Sequence, residues 1–357
     1  MTNSLLKKFI RNNAIVFILL NSAGLFSYIF QVVLGRTLPP DQYGSFNSLL
    51  ATGALITTPI TILHLVFSRF IARINVQKLQ HIKSLLTISL KFILCIALGI
   101  FLIGLSFSPW LKNFLNTETT LPIILMLLAA CFSSFQQIFI AVCEGMQRFL
   151  SLGMISGGGA LAKILFAVLF VVIFGWGVEG GLLALSFATF SALAYGIWQL
   201  QDVFKVQAVD LHSSSLMEMA RFSIPSFFMI TMVSIMCNID IVLARHYCPP
   251  DQAGYYATAT ILGRIAFFLP SSLLMVLFPS VAKATVSGSK DNHYLWVSLG
   301  LTFILSGGVF LVFFIAGQSI IQLFYGEQYY SAVPILEIVS AAMGLLAISH
   351  VIFSYNM

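Results

Sequence analysis

The chain has 357 residues and a formal net charge of +6, yet only 8% of its residues are charged, while 59% are hydrophobic and the mean hydropathy is +0.97. A soluble domain carries about 25% charged residues, so this composition excludes a soluble fold and indicates a chain that spans a lipid bilayer. We interpret the excess of basic residues as a sign that they lie in loops facing anionic lipid, and we expect no nucleic-acid partner.

Apolar runs of about 20 residues, each long enough to cross a hydrocarbon core of about 30 Å, recur along the whole chain. The loops between these runs are short, and none has the length of an enzyme domain. The pattern therefore predicts an all-α polytopic membrane protein with ten transmembrane helices, at 13–34, 44–68, 86–108, 122–143, 151–174, 181–200, 222–244, 255–279, 294–316 and 334–355.

The basic residues are distributed unequally between the two sides of the predicted membrane. With the N-terminus in the cytoplasm, three of them, Arg36, Lys112 and Arg245, lie outside. Such a bias predicts a multi-pass protein of the cytoplasmic (inner) membrane with a cytoplasmic N-terminus. The thirteen on the cytoplasmic side are Lys7, Lys8, Arg11, Arg69, Arg73, Lys78, Lys83, Lys91, Arg148, Lys205, Arg221, Lys283 and Lys290.

One motif occurs twice in the chain. It reads LGRTLPPDQYGSF from Leu34 and LARHYCPPDQAGYY from Leu243, and the two PPDQxG segments are 210 positions apart (249 − 39). Six predicted helices fill one period, and this even number predicts two parallel six-helix repeats. We expect residues 1–205 to form the first bundle. Residues 206–357 then form an incomplete second bundle with four helices, in a chain that is either naturally short or truncated.

The repeated motif suits an external hairpin between two helices. Two prolines cannot continue a helix, and the following aspartate and glycine favour a turn. The arginines just before the turns, Arg36 and Arg245, leave two interpretations open. Each either contacts lipid phosphate or binds a substrate anion in a central cleft.

Two further cations lie inside predicted helices. Lys163 follows Gly157–Gly159 near the middle of its helix, and it either faces a cavity or reaches the cytoplasmic surface. Arg264 lies about ten residues into its helix, at a depth where a charge is costly unless it faces protein or water. It either serves the function or forms a structural salt bridge, with Asp240 as the expected partner.

Signatures of covalent chemistry are absent from the sequence. It contains no P-loop, no HExxH and no nucleophile elbow, and its five cysteines form no CxxC or Cys/His ligand set. We therefore predict no catalytic residue, no metal site and no cofactor.

The motifs resemble those of the polysaccharide and oligosaccharide flippases of the multidrug/oligosaccharidyl-lipid/polysaccharide exporter (MOP) superfamily. The resemblance covers most of residues 10–285, whereas the family usually has twelve to fourteen helices. It is carried by both copies of the repeated motif, by RFSIPSF at Arg221–Phe227, by GWGVEGGLLA at Gly175–Ala184 and by FLPSSLLMVLFPSVAKA from Phe268.

The resemblance implies two six-helix bundles around a central cavity. It implies alternating access that carries an undecaprenyl-diphosphate-linked oligosaccharide to the periplasmic leaflet, for O-antigen, capsule or exopolysaccharide synthesis. Membrane lipids, a polysaccharide polymerase and glycosyltransferases are the implied partners. The candidates for binding the sugar–pyrophosphate head group are Arg36, Lys163, Arg245 and Arg264.

Two other functions stay open. A cation-coupled multidrug or metabolite antiporter on the same scaffold requires acidic residues deep in the helices, whereas the deep charges here are basic. A membrane polysaccharide polymerase requires a catalytic carboxylate on a polar loop. The flippase interpretation fits the charges best.

Overall fold

The computed structural model describes residues 22–73, 79–209, 213–270 and 293–356, and this part of the chain consists of helices joined by turns. The α-helices are α1 (22–37), α2 (Pro40–Arg73), α3 (Leu79–Phe114), α4 (Leu121–Gly145), α5 (Phe149–Ala167), α6 (Gly177–Gln199), α7 (Gln201–Lys205), α8 (Ser213–Tyr247), α9 (Pro250–Gly263), α10 (265–270), α11 (His293–Phe324) and α12 (Val333–Asn356). A π-helical segment, Val168–Ile173, extends α5, and a 3-10 helix, Glu327–Ala332, precedes α12.

Within the described ranges, eight helical segments are long and apolar enough to cross a membrane. They are Pro40–Arg73, Leu79–Phe114, Leu121–Gly145, Phe149–Ile173, Gly177–Gln199, Ser226–Tyr247, Leu295–Phe324 and Glu327–Ile352. The predicted all-α polytopic membrane fold is thereby confirmed.

Parts of two predicted helices lie outside the described residues, namely 13–21 of the first helix and 271–279 of the eighth. The same is true of several predicted cytoplasmic cations: Lys7, Lys8, Arg11, Lys78, Lys283 and Lys290.

The two copies of the repeated motif have the same local structure. Helix α1 ends at residue 37 and α8 ends at residue 247, while α2 begins at Pro40 and α9 begins at Pro250, again 210 positions later (250 − 40). In each copy the first proline ends the incoming helix and the second starts the next, where its missing N–H is no loss. Asp41 and Asp251 lie in the first turns, where the helix dipole favours a negative charge.

The chain divides into two compact units. The first comprises Met1–Leu38 and Ser45–Tyr247, and the second comprises Pro39–Gly44 and Cys248–Met357. Helix α8 thus belongs to the first unit, and the PPDQxG segment of the first motif copy belongs to the second. The predicted boundary at residues 205 and 206 concerns the sequence repeats and stays a prediction.

The first unit is packed through large aliphatic side chains and small residues at the helix crossings. A Cβ built on Gly145 of α4 would lie 2.6 Å from Cβ of Ile71 on α2, and one built on Gly196 of α6 would lie 3.1 Å from Cβ of Phe139 on α4. Glycine at these positions lets the helix backbones approach closely, which is how helices gain packing energy in lipid. The fully buried members of this core include Ile82, Leu86, Ile93, Ile138, Cys143 and Ile155.

In the second unit, α9 and α10 pack against α11 and α12. A Cβ on Gly263 would lie 2.8 Å from Cγ1 of Val339, and the hydroxyl of Ser306 donates to the carbonyl oxygen of Ala266 at 2.9 Å. An aromatic cluster closes one end of the unit, with ring centroids 5.6 to 6.4 Å apart. Its members are Tyr43, Tyr255, Tyr325 and Tyr329.

Candidate functional site

Lys163 on α5 lines a cavity of about 30 Å³ inside the first unit. Part of its side chain remains accessible, but protein atoms surround the ammonium on almost all sides. Among the described residues, no carboxylate lies within 4.0 Å of this ammonium and no group accepts a hydrogen bond from it. The cavity is also lined by Gln136 on α4, Ser156 on α5 and Thr189 on α6. The structure thus places Lys163 beside a small polar cavity in the first unit, and its role in substrate binding stays a prediction.

Small residues create the space for this cavity. A Cβ on Gly159 would lie 3.1 Å from Cβ of Ala192 and 3.4 Å from Nε2 of Gln136, so glycine permits α4, α5 and α6 to meet here. Ala160 and Ala188 complete the small-residue part of the lining. The glycine run before Lys163 therefore belongs to helix packing, and it brings polar groups from three helices to one lysine.

A second cavity, of about 170 Å³, lies along the same helix faces. On α4 it is lined by residues 126, 129, 130 and 133, which continue at helical spacing to Gln136 of the Lys163 cavity. On α6 it is lined by Leu185, one turn before Ala188 and Thr189. Helix α2 contributes Leu50, Gly53, Ala54 and Thr57. One face of α4 and one face of α6 therefore line both cavities.

Arg245 is a buried residue, 6% exposed, at the end of α8, and its guanidinium is bound to protein. Nε donates to the carbonyl oxygen of Leu115 and Nη2 donates to that of Asn116, both at 2.9 Å. Nδ1 of the next residue, His246, donates to the carbonyl of Phe114 at 2.9 Å. These carbonyls lie at the C-terminal end of α3, where they lack helical partners and where a positive charge is favourable. Arg245 thus stabilises the end of α3.

The remaining predicted cations occupy different places. Arg36 is exposed in the last turn of α1, and neither Arg36 nor Arg245 lines the Lys163 cavity. Arg264 belongs to the second unit, and its Nε is buried. Asp240 lies on α8 in the first unit, with Oδ1 buried. The pairing of Asp240 with Arg264 stays a prediction.

The helix that carries Arg264 differs from its predicted form. A continuous helix was expected over 255–279, whereas α9 ends at Gly263, Arg264 forms a turn, and α10 begins at residue 265. Hydrogen bonds nevertheless continue across the turn, from the Arg264 N–H to the Thr260 carbonyl at 3.0 Å and from the Phe268 N–H to the Arg264 carbonyl at 2.9 Å. The interruption follows a glycine that packs closely on α12, and glycine has a low helix propensity.

Two side-chain pairs that the sequence did not reveal lie within the first unit, one a hydrogen bond and the other an ion pair. Nε2 of His64 on α2 lies 2.8 Å from Oε2 of Glu144 on α4. Arg148, in the turn after α4, binds both carboxylate oxygens of Asp202 on α7, with Nη1 3.0 Å from Oδ1. The Arg148 guanidinium holds the pKa of the Asp202 carboxyl below its ordinary value. The partners are 80 and 54 positions apart in the sequence, so no pattern of residues along a single helix could have indicated either pair.

The Arg148–Asp202 pair should make a pH-dependent contribution to the free energy of unfolding. The pKa of Asp202 is lower in the folded than in the unfolded protein, so this contribution is fully present above the pKa of an unfolded aspartate, near about 4. It is lost as the pH falls through the lower pKa of the folded protein. Asp202→Asn should cost at most about 1 kcal/mol at neutral pH, since the aspartate side chain is 42% exposed. Thermal unfolding against pH should show the two proteins converging in acid. Glu118→Gln, at an exposed turn residue, is the control, and a difference that persists in acid would contradict the assignment.

A family profile described as "Polysaccharide biosynthesis protein" matches residues 10–285, more than half of the chain. The chain belongs to this family. No curated protein sequence matches it.

Solved structures share the fold at low sequence identity. An inward-facing multidrug resistance MATE family transporter of the MOP superfamily has a TM-score of 0.71 and 14% identity, over 93% of this chain and 80% of that one. The lipid II flippase MurJ, in an inward closed conformation, has a TM-score of 0.70 and 12% identity, over 95% and 74%. The MATE multidrug transporter DinF-BH has a TM-score of 0.69 and 14% identity, over 96% and 81%. The chain therefore has the fold of MOP-superfamily transporters.

Proposed function

We propose that this member of the polysaccharide biosynthesis family is a flippase. It moves an undecaprenyl-diphosphate-linked oligosaccharide across the cytoplasmic membrane by alternating access, without covalent chemistry, for the synthesis of O-antigen, capsule or exopolysaccharide. Its N-terminus is cytoplasmic. Glycosyltransferases act on the lipid-linked sugar before the flippase moves it, and a polymerase acts on it afterwards. The observation that carries the proposal is a lysine without a carboxylate partner among the described residues, placed in a polar cavity of a MOP-type fold.

The charges suit such a substrate. A pyrophosphate that crosses the bilayer needs cations in a polar cleft, while its lipid tail remains in the hydrocarbon. We assign the head group to Arg36, Lys163 and Arg264. Arg245, a fourth candidate, has Nε and Nη2 engaged by the carbonyls at the end of α3, so its main role is structural.

A cation-coupled antiporter is the alternative, and Asp240 on α8 and Glu337 on α12 are the described carboxylates inside membrane-spanning helices that it would have to use. The coupling ion of such a protein binds to an acidic residue inside the membrane. Glu144 lies in the last turn of α4 and is paired with His64, and Asp202 lies on the short helix α7 and is paired with Arg148. The lysine in the cavity favours an anionic substrate over a cationic drug.

Charge reversal tests the proposal. In cells that depend on this protein for surface polysaccharide, Lys163→Glu and Arg264→Glu should each lower surface polysaccharide at least about tenfold, equivalent to the loss of about 1.4 kcal/mol of head-group binding. Each variant must be present in the membrane at the wild-type level. Lys163→Arg, which keeps the charge, should retain most of the activity.

The control is Lys205→Glu, because Lys205 is exposed at the end of α7. This variant should leave surface polysaccharide unchanged. If both Lys163→Glu and Arg264→Glu also leave it unchanged, the head group does not bind to these cations and the proposed mechanism is wrong.

A further inference from the structure

We propose that the cavity beside Lys163 binds a small monovalent anion, with chloride as the physiological ligand, in the conformation described. This inference concerns a ligand other than the lipid-linked sugar. It is tested without that sugar, so it stands or falls separately from the flippase function.

The first reason is the charge of the site. An ammonium removed from water is costly unless it is paired or hydrogen-bonded. The Lys163 ammonium has neither kind of partner among the described residues, and the cavity lining contains no acidic residue. The lining therefore carries an uncompensated positive charge, which an anion would neutralise.

The second reason is the supply of hydrogen-bond donors. Gln136 and Ser156 line the cavity, and neither makes a side-chain hydrogen bond to any residue in the described ranges. Their amide and hydroxyl groups can therefore donate to an ion together with Lys163. The Thr189 hydroxyl instead donates to the carbonyl of Leu185 at 2.9 Å, so it contributes no donor. Three donors on α4 and α5 thus border the same small space.

The third reason is size. The centre of a water-sized sphere can occupy about 30 Å³ of this cavity, which is enough for one small ion. A single chloride ion, slightly larger than a water molecule, fits such a space.

The expected result is chloride-dependent stability of the purified full-length chain. Thermal unfolding in detergent is followed while sodium chloride replaces sodium gluconate at constant ionic strength. A ligand that binds only the folded state raises the midpoint by mass action, and we expect a saturable rise of about 3 °C. Bromide should act like chloride. A wild-type midpoint that does not respond to either halide would overturn the proposal.

Two variants tie the effect to this cavity. Lys163→Gln should abolish the halide-dependent shift, and Gln136→Leu should weaken the apparent chloride affinity about fivefold or more, as expected for the loss of a hydrogen bond to a charge. Lys205→Gln should keep the wild-type response. If Lys163→Gln fails to fold, Gln136→Leu decides, because an unchanged affinity in that variant also overturns the assignment.

The outcomes separate this site from the proposed function. A halide response that is lost in Lys163→Gln supports the anion site even if surface polysaccharide is unaffected by Lys163→Glu. Conversely, a chain without any halide response leaves the flippase proposal to its own charge-reversal test.

Discussion

Gly254→Ala is expected to prevent the accumulation of folded protein. A Cβ at this position would lie 1.9 Å from the carbonyl oxygen and 2.4 Å from the carbonyl carbon of Pro40, well inside the contact distance of any two atoms. Because both obstacles are backbone atoms, no change of rotamer relieves them, and the cost should exceed about 3 kcal/mol. The yield of monodisperse protein in detergent and its unfolding midpoint measure the effect.

Gly99→Ala is the matched control. Gly99 lies inside α3, and a Cβ built there meets no atom within 4 Å. Alanine should therefore be neutral there or stabilise the helix by up to about 1 kcal/mol. If Gly254→Ala accumulates and melts like wild type, the two motif copies do not touch as described.

The same contact explains why a glycine occurs in both copies of PPDQxG. A Cβ on Gly44 would lie 2.7 Å from the backbone nitrogen of Gly254, so the two glycines face each other within the second unit. The sequence predicted only an external hairpin in each half. The structure adds that the two hairpins pack against each other, backbone on backbone, and this contact requires a residue without a Cβ at both positions.

Arg245→Met is expected to lower the free energy of unfolding by about 2 kcal/mol, because it removes a buried charged donor and leaves the buried carbonyl of Leu115 without its partner, together with the carbonyl of the exposed Asn116. Arg245→Lys should recover part of the loss, since an ammonium carries the charge but not the planar fork of the guanidinium. Chemical or thermal unfolding of the purified variants measures both effects.

Arg36→Met is the matched control for Arg245→Met, because Arg36 is the arginine of the other motif copy and is exposed. Because Arg36 is exposed, the substitution should change stability by no more than about 1 kcal/mol, less than the loss in Arg245→Met. Equal destabilisation by the two substitutions would show that Arg245 has no special role at the end of α3. A large loss of activity in Arg36→Met at unchanged stability would fit its assignment to the head group.

Most of the predicted helices within the described ranges agree with the structure, because their signal is local. A stretch of about 20 apolar residues is helical in lipid because its backbone groups have no water to bind. The spans at 122–143 and 181–200 correspond to α4 (Leu121–Gly145) and α6 (Gly177–Gln199). Prolines mark the start of α2 and α9 for an equally local reason, since their rings fix φ and lack an N–H.

The candidate site was only partly predictable. Lys163 could be singled out because a charge inside an apolar helix is costly wherever it lies. Gln136 and Ser156 gave a weaker signal, as neutral polar residues in apolar helices often serve helix packing. Their convergence with Lys163 depends on Gly159, which sets how closely α4, α5 and α6 approach.

The membrane environment of this protein, its helical class and its 210-residue period could be inferred from the sequence, because composition and helix length respond directly to the bilayer. The surroundings of the individual cations could not be inferred, because they depend on the fold. The fold bound Arg245 to carbonyls about 130 positions away and left Lys163 beside a small polar cavity. It also set Gly44 against Gly254. These contacts depend on which helix faces meet, and the packing of side chains that are far apart in the chain determines which faces do so.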